Sequence, residues 1–147
     1  MKTVYRVLAY VIAALVAVQA AAIGYAVFAQ LHWIEGGGTL DEASFESAPG
    51  FEAYIFHALN GGTVLLVALA LLIVSFFAKI PQGVRWAVIV LVSTIVQIAL
   101  GTLSRLVAQI GAVHGAVALV LFGIAVMAAM RARKPAVVEE TVPAEVA

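Results

Sequence analysis

Cysteine is absent from the 147 residues, which excludes disulfides, iron–sulfur clusters, thiolate metal sites and covalently attached c-type haem. Charge is scarce: Asp, Glu, Lys and Arg make up 11% of the chain and sum to a net charge of zero, where a soluble domain carries about a quarter charged residues. No basic run suits a nucleic-acid partner. Polar faces at helical period are missing from the long apolar segments, which argues against a soluble all-α core. Short alternating strands are missing too, which argues against a closed β-barrel.

What is present is long apolar sequence. Hydrophobic residues make up 65% of the chain and the mean hydropathy is +1.12. The charge-free gaps Arg6 to Glu35, Glu52 to Lys79, Arg85 to Arg105 and Arg105 to Arg131 hold 28, 26, 19 and 25 residues. About 20 apolar residues cross the hydrocarbon core. The sequence therefore predicts an all-α, integral membrane four-helix bundle over residues 1–131, with spans at about 5–29, 51–78, 86–106 and 112–130. The first segment exceeds the roughly 7–15 apolar residues of a signal peptide, so it is expected to be retained. Residues 132–147 are a short stretch, mixed in charge and containing proline, and read as a disordered cytoplasmic tail.

Basic residues set the orientation. Lys2, Arg6, Lys79, Arg85, Arg131, Arg133 and Lys134 fall on one side, and Arg105 alone shares the other with the five acids in and beside the first loop, Glu35, Asp41, Glu42, Glu46 and Glu52. The positive-inside rule places both termini in the cytoplasm of a bacterial plasma membrane. Trp33 and Trp86 fall near opposite interfaces. Val18-Gln19 with Ile23-Gly24 in the first span is echoed by Val96-Gln97 with Leu100-Gly101 in the third, and each is followed by a helix that opens on a histidine. The chain thus reads as two hairpins of one kind related by an axis along the membrane normal, or as a chance match between Ala/Val-rich helices.

Those histidines are His57 and His114. Each lies about five residues or fewer past its expected helix start, within roughly 8 Å of a common plane at 1.5 Å per residue. Ionisable groups at such depth point to function. Imidazole ligates haem iron, zinc and copper. Zinc takes three or four protein ligands, and only His32, beside Trp33, is near. A haem takes two axial ligands across an apolar slot of the kind a bundle core supplies. Gly61, Gly62 and Gly115 suit close approach to a flat ring, and equally to another helix. Arg105 could fork onto a haem propionate, or snorkel and pair with a loop acid. Gln19, Gln97 and Asn60 read as polar bridges between helices.

Over about residues 5–130 the chain resembles one four-helix half of haem A synthase. The resemblance lies in Gln97-Ile98-Ala99-Leu100-Gly101-Thr102 followed by His114-Gly115-Ala116-Val117-Ala118, with histidines near the outer ends of the second and fourth helices. It is also similar to small four-span membrane proteins of actinobacteria. The resemblance implies His57 and His114 as the axial pair of one b-type haem. The family's catalytic half places a glutamate three residues before its second-helix histidine; here Tyr54 stands there and Glu52 is offset by two. The expectation is a bis-histidine haem b protein in electron transfer or haem handling, with the iron held by His57 and His114 and with Arg105, Gly61 and Gly115 around it. Its partners would be the bilayer, a quinol or redox protein, and a second copy in a homodimer. A cofactor-free accessory subunit and a dimeric haem-modifying oxidase are the alternatives.

Overall fold

The computed structural model describes residues 1–132; the expected tail from residue 133 onward lies outside them. Four α-helices make up the described chain: α1 (Lys2–Glu35), α2 (Phe51–Ala78), α3 (Gly83–Leu103) and α4 (Ala108–Arg131). Each is long and apolar enough to cross a membrane, and no strand occurs among the described residues. In lipid, a helix satisfies its own backbone polar groups, so continuous helices are what this composition dictates.

The helices form a ring in which each packs on two neighbours: α1 against α2 and α4, and α3 against α2 and α4. The diagonals α1–α3 and α2–α4 carry no backbone approach within 8 Å among the described residues. Loop one (residues 36–50) and the α3–α4 link (104–107) lie at one end, which we call the histidine end. Loop two (79–82) and the N-terminus lie at the other. Loop two is tight: Lys79 and Gln82 both take positive φ, 49° and 57°, and the Tyr5 hydroxyl donates to the Gly83 carbonyl at 3.0 Å, fastening α1 to the start of α3. Arg131 closes this end by stacking 4.6 Å over the Trp86 ring, a cation–π contact.

Helix bounds differ from the expected spans. α1 runs on through Gln30, His32 and Trp33 to Glu35, because apolarity sets a span whereas glycine sets a helix end. Gly37 takes φ 92°, which favours glycine, and a Cβ on Gly38 would overlap the Trp33 indole. α4 begins at Ala108, so Gln109 to Gly111, expected as a link, form its first turn; α3 begins at Gly83 and ends at Leu103.

Burial is uneven along the bundle. Toward loop two, Ala9, Ala13, Ala68, Ala78, Ala87, Ala125, Ala128 and Ala129 are buried together with Tyr5, Ile12, Leu71, Val90 and Leu121. Small side chains let helix backbones approach, and dispersion then holds them where lipid offers no hydrophobic drive. Toward the histidine end this packing continues between α1 and α2, where Ala26 and Ala53 are buried, but ends in α3 and α4. Thr94 is the last buried residue of α3 and Leu121 the first of α4.

Candidate functional site

The residues that matter lie in the more open half. His57 is the seventh residue of α2 and His114 the seventh of α4, so the two imidazoles enter the bundle at the same depth. α2 and α4 are diagonal neighbours, yet the rings meet: their centroids are 6.0 Å apart with an interplanar angle of 62°. Both side chains are part-buried.

Each ring is held by a glutamine one helix earlier in the chain. On the α3–α4 side, Gln97 Nε2 donates to the His114 carbonyl at 2.8 Å. His114 Nδ1 lies 3.0 Å from the Gln97 carbonyl oxygen, to which only a protonated nitrogen can donate. Gln97 Nε2 also lies 3.3 Å from His114 Nε2. Nδ1 therefore carries the hydrogen and Nε2 the lone pair. Gln97 Oε1 is buried without a partner.

On the α1–α2 side the corresponding atoms meet differently. Of the two orientations of the Gln19 amide, only one satisfies both ends: Nε2 donates to the His57 carbonyl at 3.0 Å and Oε1 accepts from the Gly61 N–H at 2.9 Å. The same Nε2 stands 2.6 Å from His57 Nδ1, while the Gln19 carbonyl oxygen is 3.3 Å from that nitrogen. Asn60, buried one turn further on, donates to the Leu15 carbonyl at 3.2 Å. Around the histidines the helices are thus joined by polar contacts.

Glycines shape the site unequally. A Cβ at Gly101 would sit 3.0 Å from His114 Cε1 and 3.2 Å from Nδ1, so the bare backbone there is the seat of the ring. A Cβ at Gly61 would meet the end of the Gln19 amide at 3.4 Å, and at Gly62 and Gly115 it would meet nothing within 4 Å. Gly61 therefore faces the glutamine, and Gly62 and Gly115 lie exposed on their helices.

Arg105 is exposed in the α3–α4 link at the histidine end. His32 is exposed on the last turns of α1, away from the histidine pair in sequence and burial. Glu35 lies sixteen residues beyond Gln19 and Leu103 six beyond Gln97, so α1 overshoots α3 by roughly 15 Å at 1.5 Å per residue. Loop one folds back on this overshoot. Phe45 packs edge-on to Phe51 at 5.5 Å and lies 5.8 Å from Tyr54, and the Tyr54 hydroxyl donates to buried Gln30 Oε1 at 3.1 Å. Tyr54 is therefore occupied in anchoring α2 to α1.

Histidine depth was legible from the sequence. The glutamine carbonyls as ring acceptors and Gly101 as the ring seat were not, although the twice-repeated Val-Gln was their signal. No group of three or more His, Cys, Asp or Glu able to hold a metal occurs among the described residues. No protein-family model, curated protein or solved structure matches the chain.

Proposed function

We propose that the chain is a bis-histidine b-type haem protein of a bacterial plasma membrane, with His57 and His114 as the axial ligands and electron transfer or haem handling as its role. The observation that carries this reading is the meeting of the two imidazoles across the bundle diagonal, 6.0 Å between centroids. Two imidazoles brought together from two helices are a donor set that would hold a haem iron. Support also comes from the Gln97 backbone carbonyl beside His114 Nδ1, since a ligating histidine gives its other ring N–H to such an acceptor. Both rings are partly exposed.

When bound, the haem supplies a one-electron couple whose potential follows from its axial ligands and burial. The chain's own part is to hold the rings, exclude water with apolar helix faces, and present Arg105 at the same end as a fork for a carboxylate. Gln97 must yield its 3.3 Å approach to His114 Nε2 and keep its 2.8 Å bond to the His114 carbonyl. The two Gln–His contacts, in equivalent places of α1–α2 and α3–α4, support a two-hairpin repeat. The clustering of Lys and Arg at the loop-two end supports cytoplasmic termini. A quinol or a redox protein, and a second copy of the chain, remain the partners this reading expects.

A second reading has its own observation. Gln97 already touches both the carbonyl and the ring of His114, so the histidines would serve as interhelical fasteners in a cofactor-free accessory subunit. A reduced-minus-oxidised spectrum of detergent-solubilised protein, expressed with ample haem, separates the two. A low-spin spectrum with Soret and α bands that is lost in His114→Ala supports the haem site. A featureless spectrum leaves the fasteners.

A further inference from the structure

The two glutamines do not treat their histidines alike. At His114 every contact agrees with one tautomer: Nδ1–H donates to the Gln97 carbonyl at 3.0 Å, and the Nε2 lone pair faces the Gln97 amide at 3.3 Å. At His57 the nearest atom to Nδ1 is the donor Gln19 Nε2 at 2.6 Å, nearer than the acceptor carbonyl at 3.3 Å. An amide that also serves the His57 carbonyl at 3.0 Å and the Gly61 N–H at 2.9 Å is fixed with its donor toward the ring. Nδ1 then accepts, and the ring hydrogen sits on Nε2.

We infer that Gln19 and Gln97 are positioning residues that set the histidine pair in opposite tautomers, with His114 ready to ligate through Nε2 and His57 blocked until the Gln19 amide turns over. Turning the amide brings Oε1 to the place 2.6 Å from Nδ1, where it accepts from Nδ1–H. The ring proton leaves Nε2 and one arrives at Nδ1, so the protonation count is unchanged and the Nε2 lone pair is released. The turn sets Oε1 against the His57 carbonyl and Nε2 against the Gly61 N–H, opposing like with like. Ligation by His57 therefore needs a change of tautomer and an opposed amide, whereas ligation by His114 displaces only the 3.3 Å approach of the Gln97 amide. A ligand that takes two imidazoles binds in sequence, His114 first. The order of ligation rests on the haem reading; the tautomers do not.

The test records ring nitrogen-15 spectra of the full chain in detergent without haem, with His57→Asn and His114→Asn assigning the signals. The expected result is Nδ1–H at His114 and Nε2–H at His57, with Gln19→Met shifting His57 to Nδ1–H on the remaining backbone carbonyl. The same tautomer at both histidines in the wild-type chain overturns the inference, whether or not Gln19→Met folds. So does an unchanged His57 signal in a folded Gln19→Met. Haem titration then reads the order: His57→Ala keeps a five-coordinate, high-spin haem on His114, while His114→Ala binds at least tenfold more weakly. Equal losses in the two variants overturn the order. No haem uptake by the wild-type chain overturns the haem reading and leaves the nitrogen spectra to decide the tautomers.

Discussion

The two halves of this bundle share a composition and use it in different ways. Toward loop two, alanines from all four helices are buried against one another around Leu71, Val90 and Leu121. Toward the histidine end the helices carry just as many small residues, yet Ala20, Ala21, Gly62, Gly115 and Ala116 stay exposed, and the links between helices are Gln19–His57, Asn60–Leu15 and Gln97–His114. Apolar close packing yields one rigid arrangement. Polar links join helices through a few directional contacts between side chains and backbone. The two halves are therefore held by different interactions, small-residue packing in one and polar contacts around the histidines in the other.

The largest effect expected on stability is in the packed half. Leu71→Ala should destabilise the bundle at the low end of about 2–5 kcal/mol, because in lipid the cavity costs and transfer from water does not; reversible unfolding in mixed micelles checks this. Overfilling the same layer with Ala125→Leu, at a position fully enclosed, should cost about 1–3 kcal/mol. The matching truncation in the open half, Leu119→Ala, should change stability by no more than about 0.5 kcal/mol, since that side chain is 74% exposed. Equal costs for Leu71→Ala and Leu119→Ala would erase the distinction between the halves.

Gly101→Val probes the open half from inside. Its Cβ lies within 3.0–3.2 Å of the His114 ring, so the imidazole must move. The expected outcome is a displaced His114 ring signal with a smaller stability loss than Leu71→Ala. Gly115→Ala, with nothing within 4 Å, should leave the ring signal in place.

The smallest effect is in loop one. The Ser44 hydroxyl and N–H both bond the Asp41 carboxylate, at 2.8 Å each, and hold its pKa below the ordinary carboxylate value, the Ser44 side chain first and its backbone N–H next. This depressed value supports the loop above the ordinary carboxylate range, and the support is lost as pH falls through the folded-state pKa. Ser44→Ala should raise the Asp41 titration midpoint, read by carboxyl carbon shifts.

Four apolar helices were readable because charge-free length alone dictates them. The register of His57 and His114 was readable because both follow loops ended by glycine or by a break in the helix. What the sequence hid has physical causes. Helix ends ran past the apolar spans because Gln30 and Trp33 stay helical until the glycines of residues 36–38. The unequal packing of the two halves was hidden because alanine and glycine look alike whether they face a helix or open space. Gln19 and Gln97 read as generic bridges, since only coordinates show a glutamine carbonyl meeting an imidazole.

The most direct test of the central claim is the reduced-minus-oxidised spectrum of the wild-type chain beside His57→Ala, His114→Ala and Leu119→Ala. The account predicts a low-spin b-type spectrum in the wild type and Leu119→Ala that is lost in both histidine variants. A wild-type chain that folds with ample haem and shows no Soret band, or either histidine variant with a native spectrum, would contradict it.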